Sequence, residues 1–239
     1  MISYIESLTP SDVANLPSGS IKTRILALFS GYGAGFDFLD FWLQKEKDKT
    51  TAAICRFEGT AWLVATEDAN AEELSAFLGV IAPEVLLEAE TAKRLGLWPF
   101  KEVFEVKKET LEQGKDIHTP PISRIYDMLM SGEDGDIEIP NKNEWYADIS
   151  HRFRHGVAKA AATEKAVALA GFVSCESALV TGVATEQSSR GGGEGRAALE
   201  LLCKVVHPST LYAEATDKAI GFYLKCGFSQ SATLVRCKT

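Results

Sequence analysis

Hydrophobic positions along this chain switch between two periods, and the order of the switches predicts a mixed α/β fold. Alternating or continuous β-rich runs mark strands at Ile2–Ile5, Thr51–Phe57, Thr60–Ala65, Val85–Glu88 and Val103–Val106. A second series follows at Val157–Thr163, Ala166–Cys175, Ala178–Thr185, Thr210–Ala215 and Thr233–Cys237. Glu58 and Gly59 form a hairpin signal between two of the first strands. Apolar residues at three-to-four spacing predict helices over Ile21–Phe29, over Leu74, Phe77, Leu78 and Ile81, over Ile122, Ile125, Tyr126, Leu129 and Met130, over Trp145 and Ile149, and over Ala197–Val206 and Lys218–Cys226. Asn70 is placed to cap the second of these, with Glu72 and Glu73 in its first turn, where negative charge suits the helix dipole. Asn143 is the expected cap of the helix carrying Trp145, and the pattern through HRFRH at 151–155 is compatible with helix or strand. The polar stretch Lys107–Pro121 ends in a Pro pair and predicts a boundary between a domain of residues 1–115 and one of residues 116–239.

The two series of elements share a string as well as an order. Val64–Glu67 reads VATE, and so does Val183–Glu186. The Leu86 strand lies 22 residues beyond the start of the first copy and the Leu211 strand 28 beyond the second. One gap of six residues then aligns Leu74 with Leu199, Pro83 with Pro208, Leu86 with Leu211, Thr91 with Thr216 and Lys93 with Lys218, the mark of a duplicated unit. The gap falls just after VATE. There the first copy has only the acidic run Asp68–Glu73, whose carboxylates would repel a phosphate, so the first half is expected to be a structural or substrate-shaping partner.

Composition narrows the function without naming it. At 46% hydrophobic and 24% charged residues the chain is ordinary for a globular protein, and a net charge of −8 with no basic stripe speaks against a nucleic-acid partner. No apolar run reaches the roughly 18 residues of a membrane span and no signal-peptide pattern opens the chain, so a cytoplasmic protein with no membrane partner is expected. Five scattered cysteines (55, 175, 203, 226 and 237) without a CxxC pair fit reduced thiols. His151 and His155 lack both a zinc-protease Glu and a third ligand, and no metal is expected. GYGAG at 31–35 has no strand before it and is expected to end the first long helix as a loop.

The stretch with chemistry is Ala178–Leu202, ALVTGVATEQSSRGGGEGRAALELL: a strand, a polar link with four glycines in five residues, and a helix. Amides at a helix N-terminus carry partial positive charge, and glycine lets an anion approach the backbone closely. A Walker A loop requires Lys and then Ser or Thr after its last glycine, whereas Arg196 and Ala197 follow Gly195. Gly193, Gly195 and Ala198 fit a dinucleotide fingerprint locally, with Glu214 near its acidic position, but only 25 residues remain beyond Glu214 for the further βα units of such a domain.

RGGGEG at 190–195, between a strand ending in VAT and the helix AALELL, resembles the Q/RxxGxG/A acyl-CoA signature of the GCN5-related N-acetyltransferase (GNAT) superfamily. A second signature follows at the right distance: LYAEAT at 211–216, then Ala219, Phe222, Tyr223, Gly227 and Phe228. The resemblance covers residues 120–239 and reaches the first half only through the repeat. It implies a tandem GNAT-like α/β fold, each half a central, mostly antiparallel sheet flanked by helices, with acetyl-CoA as co-substrate and no metal. It further implies a pyrophosphate on the amides of Arg190, Gly191, Gly192, Gly193, Glu194, Gly195 and Arg196. The pantetheine arm is implied beside Val183, Ala184 and Thr185, with Thr216 bordering the same site. A main-chain amide near Val183 or Ala184 is the implied donor to the thioester carbonyl. Tyr223 stands at the family position of the general acid for the departing thiolate. Glu214 and Glu176, on or beside the strands, are the carboxylates through which an amine could lose its proton. The chain departs from the common pattern at Gln187, where Pro is frequent, and at Glu194, whose carboxylate inside the loop is expected to weaken phosphate binding.

The expected activity is therefore acetyl transfer to a primary amine by direct attack on the thioester. The acceptor is a small molecule or peptide, and acidic composition suits a polyamine, an aminoglycoside or a lysine side chain. A monomer or homodimer is expected. Two other classes stay open: an acyl-CoA-binding sensor of the same fold, which Tyr223 disfavours, and a scaffold, which has no use for four loop glycines.

Overall fold

Short left-handed turns shape the first part of the sheet. In the computed structural model, which describes residues 1–110, 119–131, 141–206 and 210–239, β1 (Ile2–Tyr4) is followed by a turn of 3-10 helix and then by α1 (Ser20–Tyr32). The strands β2 (Leu39–Glu46), β3 (Lys49–Phe57) and β4 (Thr60–Ala65) form an antiparallel meander. Its links are Lys47 and Asp48 (φ 49° and 67°) and Glu58 and Gly59 (φ 49° and 82°), two-residue turns whose twist matches that of paired strands. A crossover through α2 (Ala71–Ile81) makes β5 (Glu84–Glu88) parallel to β4, and α3 (Ala89–Arg94) leads to β6 (Pro99–Glu109). Two helices, α4 (Ile122–Met130) and α5 (Lys142–Arg154), precede the same series again. This comprises β7 (Lys159–Ala162), β8 (Ala166–Val173) and β9 (Ser177–Thr185), antiparallel, then α6 (Glu194–Val205), β10 (Thr210–Ala215) parallel to β9, α7 (Asp217–Lys225) and β11 (Ser229–Lys238).

The two halves do not close separately. β6 pairs with β10 of the second half, and β11 pairs with β5 of the first, while β6 and β11 also pair with each other, all antiparallel. One 11-stranded sheet results, in the order β1-β2-β3-β4-β5-β11-β6-β10-β9-β8-β7. Each exchanged strand covers an edge that β5 or β10 would otherwise leave unpaired.

Helix α1 occupies the trough of this sheet and joins its halves. Ile21, Ile25 and Leu28 pack with Trp62, Val64 and Leu86 on one side and with Phe172, Leu179 and Tyr212 on the other. α4 and α5 cover β7–β9 on the same side. α2 and α3 cover the opposite face of the first half, and α6 and α7 that of the second. The amino end of α1 is fixed to the middle of the sheet. The Ser20 amide donates to Glu105 Oε2 at 2.6 Å and the Ser231 hydroxyl to Glu105 Oε1 at 2.7 Å. Glu105 lies directly across β6 and β10 from Glu214, which Arg24, one turn further along α1, engages at 2.5 Å.

Several expectations change in detail. Asn141 rather than Asn143 caps α5, accepting from the Asn143 amide at 2.9 Å, and HRFRH is helical through Arg154. α3 has no apolar stripe to announce it, since it buries only Thr91 and Ala92. The VATE strings occupy the ends of equivalent strands but not equivalent faces: Val64 packs toward α1, whereas Val183 packs toward α6. Most of the expected inter-domain stretch (111–118) and Pro208 lie outside the described residues.

Because the core around α1 draws on both halves, Leu28→Ala should cost about 2–5 kcal/mol in chemical denaturation. Tryptophan fluorescence and far-UV circular dichroism should keep one coincident transition. Two separated transitions would mean that the halves unfold independently.

Candidate active site

The site begins where two parallel strands part. β9 and β10 are paired from Ser177 and Thr210 to Val180 and Ala213. Next to that point the β8–β9 pairing is irregular: Ala170 of β8 pairs with Val180, Leu169 with Gly182 and Phe172 with Leu179, leaving Thr181 over on β9 and Gly171 on β8. Such a bulge bends the strand and switches its side-chain alternation. Ala178 and Val180 face α6 before it, and Val183 and Thr185 do so after it, while Ala184 turns to the α4–α5 side. Gly182 sits under α4, where an added Cβ would be 2.6 Å from Leu129 Cδ2. Beyond the bulge β9 and β10 diverge around a cleft of about 800 Å³.

The glycine loop closes one end of this cleft. Gly191 and Gly193 have φ of 82° and 87°, a region that side chains with a Cβ disfavour. Gly195 serves proximity instead: an added Cβ would lie 2.9 Å from Thr185 Oγ1 and 3.6 Å from Val183 and Phe222, so glycine lets α6 rest on β9. The last loop-to-helix bond runs from the Ala197 amide to the Gly193 carbonyl at 2.9 Å. The amides of Glu194, Gly195 and Arg196 therefore have no partner within the helix, and all three residues border the cleft together with Arg190, Gly191 and Gly193. Gly192 does not border it; its amide donates to the Ser189 carbonyl at 3.3 Å. The carboxylate of Glu194 accepts from Thr163 Oγ1 at 2.5 Å and so is held against the β7–β8 turn. Arg196 is exposed and pairs with Glu200 at 2.8 Å.

The other wall is polar and partly buried. Tyr223 of α7 is only 7% exposed yet lines the cleft, with its ring against Phe222 and Phe228. Burial, with a smaller contribution from Cys226, pushes its hydroxyl well above the ordinary tyrosine range, so it holds its proton at neutral pH. Cys226 also lines the cleft, its thiol raised by burial against the opposing effect of Arg196 and Lys108. Glu214 and Thr216 lie at the end of β10, and both line the cleft. Glu214 Oε1 and Thr216 Oγ1 are buried without a hydrogen-bond partner among the described residues. Glu176 is elsewhere. It precedes β9, at the end of the strand remote from the cleft, and pairs with Lys22 Nζ at 3.0 Å.

The structure thus gathers Val183, Ala184, Thr185, the loop from Arg190 to Arg196 except Gly192, Glu214, Thr216 and Tyr223 around one cavity, without Glu176. Sequence reasoning missed Arg24, whose ion pair with Glu214 spans 190 residues and leaves no local pattern. It also missed Leu129, Thr181 and Cys226 of the lining.

The corresponding place in the first half is closed. Between β4 and β5 the cavity is about 10 Å³, bordered by Leu63, Val64, Ala65, Glu88 and Thr91. β4 has no bulge against β3 from Leu63 to Ala65. The amino end of α2 is occupied: Asn70 accepts from the Glu73 amide at 3.0 Å. The Glu73 carboxylate takes the Ile2 amide at 2.9 Å, Gln44 Nε2 at 2.7 Å and the terminal ammonium at 3.3 Å. His151 donates to the backbone of its surroundings rather than joining a ligand set. Its Nε2 is 2.8 Å from the Gly31 carbonyl oxygen, and its ring stacks between Tyr32 and His155. Among the described residues no side-chain group is arranged to hold a metal, and no helix is long and apolar enough to cross a membrane.

No protein-family model matches this chain, and neither does any curated protein. Solved structures do. A GCN5-related N-acetyltransferase from Sphaerobacter thermophilus aligns over 100% of this chain and 95% of its own, at a TM-score of 0.57 and 13% identity. One from Kribbella flavida aligns over 79% and 86%, at 0.50 and 13%. Identity this low speaks for the fold and for nothing finer. With the bulged β9, the parted β10 and the same element series on either side of the exchanged strands, the chain has the fold of the GCN5-related N-acetyltransferases, laid out twice in one shared sheet.

Proposed function

We propose that this protein is an acetyl-CoA-dependent N-acetyltransferase with one working site, the cleft between β9 and β10, and that its first half is a structural partner. The carrying observation is the arrangement of that cleft: amides without a partner inside the helix at one end and a buried, protonated Tyr223 with Glu214 along the wall. The comparisons support acyltransfer through the fold.

In this reading the amides of Gly193 to Arg196 hold the pyrophosphate, and the Arg190 and Arg196 side chains add positive charge at the mouth. The parted edge of β9 from Thr181 to Thr185 offers backbone groups to the extended pantetheine, as another strand would. When bound, the thioester supplies an activated acetyl group. An amide of Val183 or Ala184 polarises its carbonyl. Glu214 takes one proton from the acceptor ammonium, freeing the lone pair that forms the new C–N bond. As the C–S bond breaks, the Tyr223 hydroxyl gives its proton to sulfur and recovers one from the nitrogen, which leaves an amide, free CoA thiol and one proton on Glu214 for release to solvent. The raised proton affinity of Tyr223 suits a donor that must stay protonated until sulfur departs.

Tyr223→Phe is expected to lower thiol release from acetyl-CoA in the presence of an amine panel by about tenfold or more while CoA affinity holds. Unchanged turnover would remove Tyr223 from the chemistry. Gly193→Asp puts a Cβ where φ is 87° and a carboxylate beside the helix-end amides. Calorimetry should show CoA binding weakened by about tenfold or more, with the melting curve still cooperative. Undiminished binding would place the pyrophosphate elsewhere, and CoA binding without thiol release for any amine would make the protein an acyl-CoA sensor.

A further inference from the structure

Arg24 is a buried cation with an unusual set of neighbours. It belongs to α1, and its side chain is 15% exposed. Its guanidinium carbon lies 5.0 Å from the ring centroids of both Trp62 and Phe172, one from each half of the sheet. Its Nη2 donates to Glu214 Oε2 at 2.5 Å, and its Nε is buried without a partner among the described residues. Arginine that only neutralises a carboxylate favours the two-pronged arrangement in which both oxygens are used. Here one oxygen is anchored. The other, Oε1, is buried and unpartnered among the described residues, as is Thr216 Oγ1, and both residues line the cleft.

The neighbouring carboxylate cannot take over this role. Glu105, opposite Glu214 across β6 and β10, has its two oxygens engaged by the Ser20 amide and the Ser231 hydroxyl. A buried acceptor without a donor is destabilising, so two such oxygens on residues that line one cleft point to a ligand that brings donors. A protonated primary amine brings three N–H donors and a positive charge. We propose that Arg24 is a positioning residue for the cleft of the opposite half: seated against both Trp62 and Phe172, it fixes Glu214 so that Oε1, with Thr216 Oγ1, seats the ammonium of a primary-amine acceptor. The first half thereby shapes the acceptor site of the second. That the seated amine goes on to be acetylated rests on the function proposed above; the seat itself does not.

The test uses the full chain, labelled with ¹³C at glutamate carboxyl carbons, with n-propylammonium as probe and n-propanol as its neutral control. The Glu214 signal, identified by its loss in Glu214→Gln, should move with n-propylammonium and not with n-propanol. Arg24→Ala should weaken the titration by about tenfold or more, because releasing Glu214 from its fixed position outweighs the relief of repulsion between the guanidinium and the ammonium. Arg24→Lys should lie between that variant and the parent, and guanidinium ion added to Arg24→Ala should restore part of the response. A Glu214 signal indifferent to n-propylammonium, or one that titrates equally in parent and Arg24→Ala, overturns the proposal. Should Arg24→Ala fail to fold, Thr216→Val decides: about threefold weaker binding supports the two-oxygen seat, and unchanged binding overturns it. Calorimetry with CoA separates the two readings. Absence of CoA binding with an intact ammonium titration removes the acetyltransferase and leaves the seat, and the opposite result does the reverse.

Discussion

The structure turns on two carboxylates that face each other at the centre of the sheet. Glu105 and Glu214 are direct cross-strand partners on β6 and β10, and like charges in that position repel. One helix answers both. α1 points its positive amino end at Glu105 through the Ser20 amide, and one turn later reaches Glu214 with Arg24. The match is geometric, because a helical turn of about 5.4 Å is close to the roughly 4.8 Å between neighbouring strands. A helix laid across the strands can therefore meet one carboxylate per strand.

That contact sits where the chain exchanges its strands. β6 and β11 each complete the sheet of the half they do not follow in sequence, so the region beneath α1 belongs to both. The apolar side of α1 reads the same way, touching Trp62 and Leu86 as well as Phe172 and Tyr212. Charge pairing and hydrophobic packing along a single helix thus lock the two halves into one unit. The same helix brings Arg24 to the wall of the cleft.

The halves share a topology and differ in whether it opens. In the second, the pairing irregularity at Thr181 and Gly171 bends β9 away from β10, and glycine at 195 lets α6 settle close while its first amides keep no partner within the helix. In the first, β4 keeps its register, the cavity shrinks to about 10 Å³, and side chains of Asn70 and Glu73 take the place an anion would hold. Equal folds do not make equal sites. The difference lies in one bulge and in what stands at one helix end.

Local order was legible from residues alone. Period-two and three-to-four patterns announced most strands and helices because burial imposes those periods directly, and the run of glycines before AALELL marked a helix start open to an anion because few other demands call for it. The element series and its repetition followed from that order. What the sequence could not carry was anything set by non-local pairing. The exchange of β6 and β11 depends on strand edges more than a hundred residues apart in sequence rather than on neighbouring residues, and it left Lys107–Pro121 reading as a plain boundary. The bulge at Thr181 reversed the faces of two identical VATE strings, since one unpaired residue shifts a strand's alternation without altering its composition. Glu176 and Glu214 looked alike on paper; opposite ends of parallel strands separated them, and only the packing of α1 gave Glu214 its partner, Arg24, 190 residues away.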